Sequence, residues 1–168
     1  SYQDLMAKGY LSEAVLNYLL LLGWSPEGEE EIFSLDEMMK IWNPARISKS
    51  PAIFDTLKLR AINAAYLRAL PAGEFRRLAD PFLDTAVHRP IDRDLLCANL
   101  QPRCEVLEDI PPQLDFIDRV LPFDAELYRN KKQKTTPESA KEALEALLPL
   151  MEAQQDWNRD AIFEACRQ

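Results

Sequence analysis

The sequence predicts an all-α fold in which prolines separate short helical segments. Twelve prolines stand against four glycines in 168 residues, so the chain has many sharp boundaries and few flexible ones. Between the prolines, apolar residues recur at steps of three and four, and no segment alternates as a β-strand does. With 47% hydrophobic residues, a chain of this length can bury a core without disulfides or metals.

Polar residues that cap helix N-termini mark the predicted helices of the N-terminal half. Ser12, Ser34 and Asp55 each precede a periodic segment, and Ser34 with Glu37 forms a capping box. Gly23 and the prolines supply the stop signals. The predicted helices cover residues 13–22, 35–42 and 56–70, followed by shorter helices over 73–79, 92–100 and 111–120.

The C-terminal third is also predicted to be helical. Thr136 and Pro137 are a cap and a first-turn proline that open one helix, and Asn158 opens a last one. Two apolar rows are predicted to be core, because each amphipathic helix of a small domain must bury several such side chains. The rows are the leucines of residues 16–22 and the inward-facing set Leu144, Leu147, Leu148 and Met151.

Composition excludes several classes of protein. The net charge of −8 argues against a generic basic nucleic-acid binder. The three cysteines form no CxxC pair and His88 is the single histidine, so we predict no metal site and no disulfide framework. Cys97 and Cys104 are expected to be buried thiols. A start at serine indicates a piece of a larger protein from a reducing compartment, and no apolar run is long enough for a membrane span.

One stretch departs from the acidic balance. Residues 46–77, called here the basic segment, contain seven basic and two acidic residues. Such a segment on an acidic body suits an anionic partner that is held in one orientation. The alternative is a solvated helix face, which most charge runs are.

No catalytic residue is assigned. The sequence has no glycine-rich phosphate loop, no GxSxG elbow and no HExxH helix. Residues 46–50 (RISKS) look like the lysine loop of class I aminoacyl-tRNA synthetases, but the companion HxGH motif of their nucleotide site is absent.

Longer blocks of the sequence carry a more specific resemblance. Residues 9–24 (GYLSEAVLNYLLLLGW) closely resemble bacterial glutamyl-tRNA synthetases just after their catalytic lysine loop. The remaining blocks follow in the family's order and extend over almost the whole chain. They are residues 31–35 (EIFSL), 47–55 (ISKSPAIFD), 58–59 (KL) with Asn63 and Tyr66, 101–107 (QPRCEVL) followed by 110–111 (IP), and Trp157 with residues 162–163.

The resemblance implies the region that follows the catalytic domain. The expected architecture is a helical stem-contact segment followed by an anticodon-binding helical bundle, an α-helix cage. Residues 1–71 would be the remainder of the stem-contact region, and residues 72–118 the first anticodon-binding helical domain. Residues 119–168 would be the start of a second anticodon-binding domain, incomplete.

The resemblance also implies a function. The parent protein would be a glutamate–tRNA ligase that charges tRNA(Glu) with glutamate in the cytoplasm, using ATP and magnesium. This chain would bind tRNA(Glu), with no part in membrane or DNA binding, no cofactor of its own and no activity alone. The alternative is a noncatalytic α-helical protein-interaction module on the same scaffold.

Four residues match tRNA-binding positions of the family. Arg46, Lys58 and Arg68 match basic positions on its tRNA-facing side, and the implied role is phosphate contact. Arg103 matches the arginine that reads the third anticodon base.

Two features lie outside the family pattern. Ala61 stands where the family commonly has tryptophan. The loss of the aromatic ring removes either packing contacts or a stacking platform. The lysines of the loop after Asn130 match no family motif, and a solvated loop is favoured there over contact with an anticodon arm. They are Lys131, Lys132 and Lys134.

Overall fold

A computed structural model describes residues 1–167 of the chain. Across these residues the secondary structure is helical, without β-strands, and the all-α prediction is confirmed. The α-helices are α1 (Tyr2–Lys8), α2 (Ser12–Gly23), α3 (Leu35–Ile41), α4 (Thr56–Ala69), α5 (Ala72–Leu83), α6 (Arg93–Leu100), α7 (Asp115–Asp118), α8 (Pro137–Glu152) and α9 (Arg159–Ala165). Short 3-10 helices cover Pro44–Arg46, Gln101–Arg103, Leu107–Asp109, Pro111–Gln113 and Ala125–Tyr128.

The chain forms two compact units. The first unit, Ser1–Val120, contains α1 to α7, and the second unit, from Leu121 onward, contains α8 and α9. Isolated β-bridges join Trp24 to Ile47 in the first unit and Asn130 to Thr135 in the second.

Most helix starts follow from local capping. Ser34 and Glu37 form the predicted capping box at α3. The Asp55 side chain accepts hydrogen bonds from two backbone N–H groups of α4, and Thr136 caps α8. Ser12, however, is not an N-cap: α2 starts at this residue, and its hydroxyl accepts a bond from the Tyr2 hydroxyl at 3.0 Å.

Three helices differ from the sequence-based prediction. Helix α1 was not predicted, although Ser1 and Asp4 form a capping box and Gly9 ends the helix with φ 87°. Helix α5 continues past residue 79 and contains Pro81. The helix predicted over 111–120 is replaced by a 3-10 turn and the four-residue α7.

Gly9 is required where the chain turns from α1 towards α2. Its φ of 87° is the left-handed conformation that glycine adopts without strain. A Cβ at this position would also lie 2.4 Å from Leu107 Cβ. Both backbone geometry and packing therefore exclude a side chain here.

Helix α4 stands between two buried clusters of the first unit. The smaller cluster packs α2 on α4, with Tyr10, Ala14, Val15, Tyr18, Leu59, Ile62 and Val106. The larger cluster packs α5 and α6 against the end of α4, with Leu67, Phe75, Ala79, Leu83, Val87, Cys97, Leu100, Cys104, Leu107, Ile110 and Leu114. The expected burial of Cys97 and Cys104 is confirmed, and desolvation raises the pKa of the Cys104 thiol to about 12.

Two fully buried asparagines lie within this packing. On α4, Asn63 Oδ1 accepts a hydrogen bond from the Leu11 N–H at 2.8 Å, and its Nδ2 donates to the Glu105 carbonyl at 2.6 Å. Asn17 on α2 bonds in the same way to residues 31–33. Each amide satisfies backbone groups that would otherwise be buried without partners.

The predicted burial of the two leucine rows is wrong for two members of each row. On α2, Leu16 and Leu19 are 45% and 50% exposed, since the opposite face packs on α4. On α8, Leu144 and Leu148 are 49% and 58% exposed and border an open groove of about 680 Å³. Helical periodicity identifies an apolar face but does not reveal whether another element covers it.

Candidate nucleic-acid interface

Arg46 ties two loops together. It ends the 3-10 helix Pro44–Arg46, where its Nε donates to the Ser25 carbonyl at 2.6 Å and a second guanidinium nitrogen donates to the Pro26 carbonyl. These bonds join the segment after α2 to the segment after α3. The structure thus gives this half-buried arginine a role within the chain.

Lys58 is engaged in an ion pair. It lies in the first turn of α4, and its Nζ is 2.6 Å from Glu31 Oε1. Both side chains are more than a third exposed, so the pair stabilises the fold little and can open readily.

Much of the charge of the basic segment is neutralised in the folded chain. Arg60 bonds to Glu105 and Asp109, Arg76 to Asp80 and Asp94, and Arg77 to Glu74. Burial opposes the charge of Arg60, but its hydrogen bonds to the two carboxylates outweigh burial and hold the pKa of this guanidinium above its ordinary value. The segment is therefore not a continuous strip of free cations.

Arg68 and Arg103 remain available to bind an anion. Both side chains are exposed, and within residues 1–167 neither makes an ion pair or a side-chain hydrogen bond. Arg68 lies in the last turn of α4, and Arg103 ends the 3-10 helix Gln101–Arg103.

Gln101 connects these two positions. Its Nε2 donates to the carbonyls of Leu67 and Leu70, each at 2.9 Å, at the C-terminal end of α4. The Leu67 carbonyl also accepts from the Leu70 N–H at 3.3 Å, so Gln101 gives it a second donor and supplies a donor to the Leu70 carbonyl just beyond the helix end. The two bonds of Gln101 hold the backbone two residues before Arg103 against the backbone on either side of Arg68, so the two free arginines are placed at one end of α4.

The role of Gln101 was not predicted from the sequence. A glutamine before a proline at a helix end is a weak signal, because it does not say which carbonyls the amide reaches. The exposed Lys49 also has no ion-pair partner in the described part of the chain, but it lies apart from this end of α4, since the neighbouring Ser48 N–H donates to the Gly23 carbonyl at the end of α2. Arg68 and Arg103 form an arrangement suited to an anion.

In the described part of the chain, these cations are not accompanied by a cluster of metal-ligating side chains. Among residues 1–167, no three His, Cys, Asp or Glu side chains cluster as metal ligands would. His88 is exposed and is hydrogen-bonded to Asp118, with Nδ1 2.6 Å from Oδ2. Of the helices in the described residues, none is both long enough and apolar enough to cross a membrane.

Comparison with protein families agrees with an RNA-binding arrangement. The model of the anticodon binding domain matches residues 74–168, which includes Arg103. The model of the catalytic domain of class I tRNA synthetases (E and Q) matches residues 1–61, which includes Arg46 and Lys58. The two matches leave Arg68 in the short stretch between them.

The chain is also similar in sequence to individual glutamate–tRNA ligases. The chain is 46% identical over 99% of its length to the glutamate–tRNA ligase of Clostridium botulinum, and 44% identical over 96% to that of Clostridium acetobutylicum. It spans about a third of the length of these relatives, 34% in each case.

A solved structure resembles the chain as well. The glutamate tRNA ligase of Elizabethkingia meningosepticum, in complex with its amino acid, superposes with a TM-score of 0.75 and 26% identity over 95% of this chain and 32% of that protein. Because the anticodon-binding family matches more than half of the residues, the chain belongs to the anticodon binding domain family, in the form found in glutamate–tRNA ligases.

Proposed function

We propose that the chain is the tRNA-binding portion of a glutamate–tRNA ligase. The whole protein would charge tRNA(Glu) with glutamate in the cytoplasm, using ATP and magnesium. The observation that carries the proposal is the pair of free arginines at the end of α4, one of them within the anticodon-domain match. Among the described residues, no group of three His, Cys, Asp or Glu side chains could hold a metal ion, and no step of glutamate activation is assigned to them.

The proposed division of the chain follows the resemblance. Residues 1–71 would contact the stem of the tRNA, residues 72–118 would form a first anticodon-binding helical domain, and residues 119–168 would begin a second. The two family matches, which end and start at residues 61 and 74, support the first boundary. The end of the first unit at Val120 supports the second.

Within the proposed interface, Arg68 binds a backbone phosphate. Its guanidinium is exposed and unpaired, so binding a phosphate does not require an existing ion pair to break. Lys58 takes the same role only by exchanging Glu31 for a phosphate. Arg46 contributes through the guanidinium N–H groups that its two carbonyl bonds leave free.

Arg103 reads a base. A guanidinium has only donors, which match the O2 and N3 acceptors of an unstacked cytosine. The corresponding edge of guanine presents N–H donors, and facing donors on both sides would leave buried groups unpaired at a cost of about 1–3 kcal/mol each. Arg103 therefore favours cytosine over guanine at the third anticodon position, which in this family distinguishes the glutamate tRNA from the glutamine tRNA.

Salt-dependent binding of a tRNA transcript to the 168-residue chain tests the proposal. Fluorescence anisotropy at a series of salt concentrations gives the slope of log K against log salt. Loss of Arg68 and Arg103 (Arg68→Gln with Arg103→Gln) should weaken binding and reduce the magnitude of this slope by about 0.7–0.9, because Arg68 is the one proposed phosphate contact of the two.

The matched control removes two paired cations of the same unit, with Lys8→Gln and Arg77→Gln. Both residues form exposed ion pairs, with Glu108 and Glu74, so the net charge changes equally while no free cation is lost. A wild-type chain without salt-dependent tRNA binding would contradict the proposal and favour a protein-interaction module. An equal slope for the test and control variants would remove Arg68 from the interface, and an equal affinity as well would remove Arg103.

A further inference from the structure

Three unpaired lysines occupy one turn of the second unit. Lys131, Lys132 and Lys134 lie between Asn130 and Thr135, are exposed, and have no ion-pair partner within residues 121–167. Other cations of this unit are neutralised by carboxylates three or four residues away, in the pairs Arg129–Glu126, Lys141–Glu145 and Arg167–Glu164. Arg159 is also unpaired, but it stands alone on α9. The free positive charge of the unit is thus concentrated in the turn.

The turn has a defined backbone. Asn130 and Thr135 exchange two backbone hydrogen bonds of 3.1 Å each. The Asn130 Oδ1 accepts from the N–H groups of Lys132 and Gln133, at 3.0 and 3.2 Å. The Thr135 hydroxyl donates to the Tyr128 carbonyl at 2.9 Å and fixes the turn to the preceding 3-10 helix. These bonds fix the backbone from which the three lysine side chains project, and so reduce the backbone entropy lost when the turn binds a partner.

The backbone of Lys134 has an unusual conformation. Its φ is 55°, in the left-handed region that a lysine adopts only at a cost of about 1 kcal/mol or more. Asparagine or glycine fits this position better. Residues held in such conformations cluster at binding sites, where the geometry has a use.

We propose that this turn, hereafter the lysine turn, binds the phosphate backbone of RNA. The proposal rests on the proposed function, since the turn lies within residues matched by the anticodon-binding family. Lysine ammonium groups bind phosphates as point charges and need no fixed angle. Three of them within four residues suit a chain of closely spaced phosphates better than single carboxylates on a protein surface. The contact is therefore independent of base sequence.

The test uses the salt dependence of tRNA binding by the 168-residue chain. The variant combines Lys131→Gln, Lys132→Gln and Lys134→Asn, with asparagine chosen because it tolerates the left-handed conformation. The slope of log K against log salt is negative, and for this variant it should be less steep than for the wild type by about 2. Each lost phosphate contact on a single strand accounts for roughly 0.7 of this difference. The control combines Lys8→Gln, Lys141→Gln and Arg167→Gln, which remove equal charge from ion-paired positions and should leave the slope within about 0.5 of the wild type.

The outcomes separate this inference from the proposed function. If the wild-type chain binds with a clear salt slope and the lysine-turn variant matches the control, the lysine turn does not bind RNA while the proposed function stands. If the wild-type chain does not bind tRNA, both fail. Repetition with a transcript whose anticodon is changed should give the same drop in slope, and a drop confined to one anticodon would contradict binding through phosphates.

Discussion

Asn17 provides a quantitative test of how the first unit is held together. Its side chain is fully buried on α2. The Nδ2 donates to the Glu31 carbonyl at 2.7 Å, and the Oδ1 accepts from the Phe33 N–H at 2.8 Å. The Tyr66 hydroxyl of α4 lies 2.9 Å from the same Oδ1. One amide thus joins α2, the segment before α3, and α4.

The substitution Asn17→Asp keeps the shape of the side chain and its acceptor but removes the donor. A carboxylate oxygen then faces the Glu31 carbonyl, and a charge is buried. Burial raises the pKa of a carboxyl, and a rise of about 2 units from an unfolded value near 3.9 costs about 2.7 kcal/mol at neutral pH. The lost hydrogen bond adds about 1 kcal/mol. We expect the variant to be less stable than the wild type by about 3–4 kcal/mol at pH 7.5.

The loss of stability caused by Asn17→Asp should depend on pH. Because the folded-state pKa is raised, the penalty is fully present above that pKa and fades as the pH falls towards the unfolded value. Near pH 4.5 the protonated carboxyl can donate to the Glu31 carbonyl, as the amide does, and the difference should shrink to about 1 kcal/mol. Urea unfolding of both proteins, followed by circular dichroism at the two pH values, measures these differences.

Asn99→Asp is the matched control. Asn99 also donates through Nδ2 to a backbone carbonyl, that of Leu95 at 2.8 Å, but it lies exposed on α6. A carboxylate there remains hydrated, so the loss should stay below about 1 kcal/mol at both pH values. A penalty for Asn17→Asp that is equal at pH 4.5 and pH 7.5 would refute a buried-charge explanation.

Two further predictions concern catalysis by the isolated chain and the position of Arg103 in the interface. The isolated chain should support no glutamate-dependent exchange of pyrophosphate into ATP, because its sequence has neither a glycine-rich phosphate loop nor an HxGH motif; exchange above a blank would contradict this. Gln101→Glu should place a negative charge against the Leu67 and Leu70 carbonyls, at the negative end of α4. We expect this variant to lower the free energy of unfolding by about 1–3 kcal/mol and to weaken tRNA binding. Gln113→Glu, where the exposed amide donates to the Asp109 carbonyl, should change binding little.

The features that could be predicted from sequence are those set by neighbouring residues. The starts of α3, α4 and α8 depend on capping groups within three residues, Ser34 with Glu37, Asp55 and Thr136, and these signals were sufficient. The fold class follows from periodicity for the same reason. Helix α1 carried the same kind of signal, a capping box of Ser1 and Asp4, and was nevertheless not predicted.

The features that could not be predicted depend on distant parts of the chain. The charge of Lys58 is neutralised by Glu31, 27 positions away, and that of Arg60 by Asp109, 49 positions away. A sequence window counts such cations as free. The same limit applies to burial, since the face of α2 that contains Leu16 is as apolar as the face that packs on α4.

This pairing explains how a chain of net charge −8 can present binding sites for a polyanion. Many of its carboxylates lie beside cations that hold the fold, as Asp80 does between Arg76 and Arg93. Some cations have no ion-pair partner among residues 1–167, including Arg68, Arg103 and the three lysines of the lysine turn, and these then act over short distances. At physiological salt the Debye length is about 8 Å, so the distant acidic groups are screened while these contacts are not. At low salt the screening is lost and the net charge repels RNA. The salt slope should therefore flatten below about 0.05 M, where the Debye length exceeds about 13 Å.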